Sequence, residues 1–181
     1  SCIDPDPRTK NKSITKLKRN KIKVISGLEK YKTINLNKFF FKSLTKQKPF
    51  TKVKMAISND EKIAWSDYKS KWISNSKSRS YVHKLRSNSQ AILTTSKTII
   101  KDNPRFTVRN KNKIIKNLNV VVVDNNLNIP FNSKILNNLH DKRVIIFTSK
   151  NNSKSQKLIQ IGCEIIEMKQ EKKTLNLKKI F

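Results

Sequence analysis

Glycine is almost missing from this chain: Gly27 and Gly162 are the two in 181 residues. Phosphate-cradling loops of the G-x-G-x-x-G or G-x-x-x-x-G-K-[ST] kind need several, so standard Rossmann and P-loop sites are excluded. Cysteine is as scarce. Cys2 and Cys163 lie far apart with no C-x-x-C or His/Cys company, which argues against a disulfide scaffold or a zinc site and fits a reducing cytoplasm. His83 and His140 are isolated, and His83, inside a helical pattern, reads as a surface or packing residue. No G-x-S-x-G, H-E-x-x-H or H-x-E…P-C-x-x-C pattern is present, so familiar hydrolase and zinc-deaminase sites do not fall within these residues. The longest aliphatic run, Val120 to Val123, is far short of a membrane span. No signal peptide is visible.

Acidic side chains are the other shortage. Asp and Glu number 12 against 41 Lys and Arg, a formal charge of +29. Such a balance raises nucleic acid or an anionic membrane as partners. The identity of the bases favours a blander origin. Arginine is confined to Arg8, Arg19, Arg79, Arg86, Arg105, Arg109 and Arg143, while lysine keeps company with asparagine and isoleucine. Lys, Asn and Ile have A/T-rich codons and Gly has G-rich ones, so a genome of extreme base composition produces this bias without selection for binding. The bases are not interleaved with aromatics as a stacking surface for single strands requires. Neither a specific nucleic-acid partner nor a membrane partner is expected.

In chain order, residues 1–48 read as the end of something else. D-P-D-P-R-T is a proline-stiffened turn, Ile22–Ile25 a short strand stopped by Ser26-Gly27, and Leu36, Phe39 and Phe40 recur at helical spacing. One strand and one helix are too little to bury a core. Pro49 marks a boundary. Phe50–Ser58 then alternates as a strand, with Val53, Met55 and Ile57 on one face. Ser74–Ser76 offer helix caps, followed by Tyr81, Val82 and Leu85 as an apolar stripe. Ala91–Thr94 reads as a strand and Thr98–Lys101 as a short helical turn closed by Pro104. Val120–Val123, flanked by Asn, fits a strand buried on both faces. Ser133 is placed as the cap of a helix through Leu139, and Val144–Phe147 as a strand. Ser153 is placed as the cap of a helix that Gly162 stops. Cys163–Met168 is a strand, and Leu175–Phe181 opens a helix. Strand and helix in alternation imply an α/β fold around a mostly parallel sheet.

Functional groups in such a sheet belong on loops beyond the carboxyl ends of strands. Arg86 and Arg109 suit a phosphate, because guanidinium pairs with phosphate oxygens in two-pronged fashion. Two surface arginines are the bland alternative.

Three runs carry a resemblance: K-M-A-I-S-N-D-E-K-I-A from Lys54, S-K-W-I-S from Ser70, and L-R-S-N-S-Q-A-I-L-T-T-S-K-T-I-I-K-D-N-P-R-F-T-V-R from Leu85. Together they resemble the reductase domain of the bifunctional riboflavin-biosynthesis deaminase–reductase family. Upstream, D-P-D-P-R-T, I-K-V-I-S-G-L-E and L-N-K-F-F resemble the end of that family's deaminase domain and its link to the reductase. The resemblance implies a dihydrofolate-reductase-like α/β fold, with residues 1–48 a deaminase remnant and linker and 49–181 the amino-terminal and central part of the reductase domain. It implies an oxidoreductase that uses NADPH to reduce the ribosyl group of 5-amino-6-(5-phosphoribosylamino)uracil to ribityl. It further implies cofactor contacts at Ala56, Trp72, Thr98, Asp102 and Asn125. Substrate contacts would fall at Ser70, Arg86, Phe106 and Arg109, with Lys54 assisting proton transfer. Asp60 matches the Asp of the family's S-L-D-G loop, whose glycine is replaced here by Glu61; if that position needs positive φ, Glu61 is strained. The family's V-E-G-G segment would follow Phe181 and its deaminase zinc motifs would precede Ser1. The sheet is therefore expected to be incomplete at the carboxyl end, and zinc to belong only to the absent deaminase part. A cytoplasmic location and possible self-association complete the expectations. The competing readings are a catalytically incompetent fragment and, third, a basic nucleic-acid-binding protein.

Overall fold

The structure, a computed structural model, describes residues 2–63, 73–110, 113–171 and 173–181. It divides into two compact units, Ser1–Lys54 with Phe181, and Met55–Ile180.

The first unit holds three short helices, α1 (Lys12–Arg19), α2 (Lys30–Leu36) and α3 (Lys38–Lys46). Among its described residues only Asp6 is buried, so apolar burial contributes little to it. The Phe39 ring meets Phe50 edge to face at 4.5 Å between centroids, with the ammonium groups of Lys38, Lys42 and Lys52 over these rings. The strand expected at Ile22–Ile25 does not form, and both isoleucines are exposed. The strand expected at Phe50–Ser58 does not form either: Val53, Met55 and Ile57 are 83, 67 and 50% exposed. Alternation gives a segment an apolar face, but a strand exists only through a hydrogen-bonded ladder. Among the described residues no ladder reaches either segment.

The second unit begins with α4 (Ser76–Ser87), whose cap is Asn75, accepting the Ser78 N–H at 2.8 Å. Then follow β1 (Ala91–Thr95), α5 (Ser96–Asp102), β2 (Thr107–Asn110), β3 (Lys113–Asn117) and β4 (Asn119–Val123). After a 3-10 turn at Lys134–Leu136 come β5 (Val144–Thr148), α6 (Ser153–Gln160) and β6 (Glu164–Glu167). Ser133 makes no cap there, and the expected helix through Leu139 shortens to that turn. The cap of α6 is Asn152, in a reciprocal box with Ser155, and not Ser153; asparagine reaches the same orphan N–H groups one position earlier. The chain ends in a small hairpin, β7 (Gln170–Glu171) with β8 (Thr174–Leu175), and a 3-10 turn at Leu177–Lys179 where a helix was expected.

The main sheet has the order β1-β4-β5-β6, and every pair in it is parallel. Its core is aliphatic: Val120, Val122, Val144, Ile146 and Leu158 have no exposed surface, and Ile99, Ile135 and Cys163 join them. Thr95 lies beside Val123, and Val123 beside Phe147, so the carboxyl ends of β1, β4 and β5 share one edge. β2 and β3 form a separate antiparallel pair that α4 packs against.

Candidate functional site

Two groups of candidate residues emerge from this framework. One lies where α4 meets β2. His83 and Arg86 are three positions apart and so share a face of α4. The β2–β3 ladder is irregular between Val108 and Arg109, the kind of bulge that re-aims a side chain. The Arg109 backbone N–H donates to His83 Nδ1 at 3.2 Å, and Arg109 Nε donates to Thr107 Oγ1 at 3.0 Å. Thr107 is buried, which fixes the hydroxyl that steadies the guanidinium. Burial and the Arg109 guanidinium draw the Arg86 pKa below its usual value. Burial, then Arg86 and Arg109, do the same to His83. Among the described residues no carboxylate pairs with Arg86 or Arg109. Two guanidinium groups with no acid paired to them among the described residues leave an excess of positive charge that an anion would balance.

The second group follows the carboxyl edge of the main sheet. Thr98 and Asp102 are exposed and sit four residues apart on α5, on one face of it. Thr95 Oγ1 caps α5 at a long 3.5 Å from the Thr98 N–H and stands 3.4 Å from the Thr98 hydroxyl. One strand over, about 4.8 Å away, β4 runs into Asp124 and Asn125. The Asn125 carbonyl accepts from Ser149 N, Ser149 Oγ and Thr148 Oγ1, pinning the ends of β4 and β5 together. Its Nδ2 donates to Asn126 Oδ1 and to the Lys173 carbonyl, while its Oδ1 is buried with no hydrogen-bond partner among the described residues. An orphaned buried acceptor costs free energy unless something donates to it. Past the ends of β5 and β6 an open groove of about 650 Å³ is lined by Ser149, Lys150, Glu167, Met168, Lys169 and Gln170.

Between the groups, Asn103 (φ +40°) and Phe106 (φ +50°) both take the left-handed backbone region. Non-glycine residues there are strained by about 1–3 kcal/mol, and such strain clusters at functional sites. Asn103 Oδ1 accepts the Lys134 N–H at 2.8 Å, and the Phe106 ring packs on the core. Glu61 stands at φ +59°, so the position does need the left-handed conformation. Asp60 belongs to a turn in which the Ser58 hydroxyl donates to its carboxylate and accepts the Lys62 N–H.

The structure thus brings Arg86 and Arg109 together and sets Thr98, Asp102 and Asn125 along one edge. Ala56 is half-buried near the start of the second unit, on no strand, and Lys54 is exposed at the end of the first. Ser70 and Trp72 lie outside the described residues. Sequence reading missed His83 and Thr107 as neighbours of the arginines, and it missed the β2–β3 pair.

A family model described as the RibD C-terminal domain matches residues 49–180. The chain belongs to that family. Similar curated proteins include the riboflavin biosynthesis protein RibD of Aquifex aeolicus, 32% identical over 172 residues, covering 93% of this chain and 47% of that protein. RibD of Escherichia coli is 35% identical over 109 residues, covering 60% of this chain and 30% of its own length. Among solved structures, Acinetobacter baumannii RibD aligns with a TM-score of 0.81 at 29% identity, over 95% of this chain and 48% of that one. The Thermotoga maritima diaminohydroxyphosphoribosylaminopyrimidine deaminase/5-amino-6-(5-phosphoribosylamino)uracil reductase aligns at 0.73 and 32% identity, over 83% and 42%. The fold is therefore the dihydrofolate-reductase-like one of RibD structures, and the chain spans about half the length of the RibD proteins it matches. Among the described residues no helix is long and apolar enough to cross a membrane, and no cluster of His, Cys, Asp and Glu could hold a metal.

Proposed function

We propose that this chain carries the reductase function of riboflavin biosynthesis, reducing the ribosyl group of 5-amino-6-(5-phosphoribosylamino)uracil to ribityl with NADPH, in the cytoplasm. The observation that carries the reading is the Arg86–Arg109 cluster, cationic, partly buried at Arg86 and without an acid partner among the described residues. A sugar phosphate supplies the missing dianion, and each charge-assisted contact to it is worth about 1.5–3 kcal/mol. Phe106 and Ser70 complete the substrate side.

Ala56, Trp72, Thr98, Asp102 and Asn125 form the cofactor side. The chain's own chemistry fits: the orphaned Asn125 Oδ1 wants a donor, such as a ribose hydroxyl, and the Thr98 hydroxyl can donate or accept. When bound, the nicotinamide supplies the hydride. The protein's share is placement: the arginines anchor the phosphate end, and the sheet edge sets the cofactor's approach. Reduction and ring opening also need a proton at the sugar oxygen released from the anomeric carbon, and Lys54 is the residue assigned to deliver it.

The test uses the full-length protein with Arg109→Ala. The Michaelis constant for the substrate should rise roughly 10- to 150-fold, while NADPH binding, followed by nicotinamide fluorescence, stays the same. Unchanged kinetics would remove the assignment.

A further inference from the structure

We propose that His83 is a positioning residue: its neutral imidazole latches α4 to β2 and thereby gathers Arg86 and Arg109 into one phosphate site. The inference rests on the phosphate reading above and adds a residue and a protonation state to it.

The latch is built from both sides. On β2 the bulge between Val108 and Arg109 breaks the regular pairing, and the Arg109 N–H is given to His83 Nδ1. The Arg109 N–H is directed to the imidazole, which accepts it from 26 residues away in sequence. On α4, His83 stands one turn before Arg86, so the contact that fixes the strand also fixes which helical face meets Arg109. Thr107 then aligns the Arg109 guanidinium from below.

Accepting at Nδ1 requires the lone pair there, hence a neutral ring with its proton on Nε2. The surroundings favour that form. Among the described residues, the charged groups acting on the ring are Arg86 from its own helix and Arg109 from the packed strand, both positive, and burial works in the same direction. Lys77, Arg79 and Lys84 are the other charges of α4, and β2 carries no other charge. Nothing acidic on either element holds a proton on the ring. Protonation would turn the acceptor into a donor facing a donor, and the latch would open.

The experiment uses full-length protein, ribose 5-phosphate as probe and titration calorimetry. His83→Ala should weaken binding about 5- to 10-fold at pH 7.5, the worth of one hydrogen bond, with NADPH affinity unchanged. His83→Asn, whose Oδ1 offers an acceptor near the Nδ1 position and does not titrate, should restore binding to within about twofold. It also keeps the test open if the alanine variant fails to fold. Between pH 7.5 and 5.5 the wild-type affinity should fall relative to that of His83→Asn; the probe's own ionisation near pH 6 cancels in that ratio. A ratio that rises on acidification would make His83 a direct cationic ligand and overturn the proposal. So would unchanged binding in both variants. If Arg86→Ala and Arg109→Ala leave ribose 5-phosphate binding intact, the phosphate site itself fails, and the latch with it.

Discussion

Arg86 should act against the stability of the empty protein, and replacing it with methionine measures by how much. Its guanidinium is partly buried beside that of Arg109, and among the described residues no carboxylate pairs with it. Two unit charges 4 Å apart repel by about 1 kcal/mol in a water-like medium and about 4 kcal/mol at a partly shielded surface. Arg109 is exposed, which points to the lower figure, on the order of 1 kcal/mol after screening. Methionine keeps most of the aliphatic stem that packs on the helix, so the substitution removes charge more than volume. For a chain of this size 1 kcal/mol corresponds to about 2–4 °C in Tm. Arg86→Met should therefore melt about 2–4 °C higher than wild type in dilute buffer, by calorimetry or circular dichroism. The gain should shrink toward zero by 1 M salt, where the Debye length is only about 3 Å. The same variant should lose roughly 10- to 150-fold in affinity for a sugar phosphate. A lower Tm at all salt concentrations would mean that Arg86 is a structural residue whose charge is satisfied, and the anion-site reading would lose its basis.

Leu158, with no exposed surface on the inner face of α6, should cost about 2–5 kcal/mol when cut to alanine, measured by urea unfolding; a loss under 1 kcal/mol would place it outside the core. Burial pushes the Cys163 thiol up to about 11, so a thiol reagent at pH 8 should label Cys2 in the native protein and reach Cys163, 4% exposed, only on unfolding. Glu164 makes a two-pronged pair with Arg143 at 2.6 and 2.7 Å, which holds its carboxyl below the usual range. A lowered folded-state pKa means the stabilisation is full above about pH 4.3, the unfolded value, and lost as pH falls through the folded one. Being exposed, the pair contributes little in screened solution, and Arg143→Ala should flatten that limb of the stability profile.

Much of the sheet could be read in advance because its strands are continuous apolar runs. Val120–Val123 and Val144–Phe147 are buried on one face and half-buried on the other, so each stays apolar throughout and periodicity has little to confuse. Phe50–Ser58 shows the limit, since alternation describes a face and not a partner. The β2–β3 pair escaped notice because Ile114 and Ile115 are adjacent and exposed among lysines, with no two-residue period. Glu61 was legible through the chemistry of the glycine it replaces. His83 was not: its partner lies 26 residues on, and no spacing rule reaches that far. Of the candidate site, the residue types came from the sequence, whereas their grouping around an imidazole came from the packing of a helix on a bulged strand.

The all-parallel order of the main sheet has a consequence for time as well as for shape. Every rung of that sheet joins distant positions, Ala91 with Asn119, Val120 with Val144 and Ile145 with Glu164, so none of its ladders can start from a tight turn. Loop-closure entropy must be overcome before any of these contacts reward it. During that interval a chain of charge +29 resists collapse by self-repulsion. Refolding should thus be slow in dilute buffer and quicken with added salt, and the aliphatic strands will stay open longest when ionic strength is lowest.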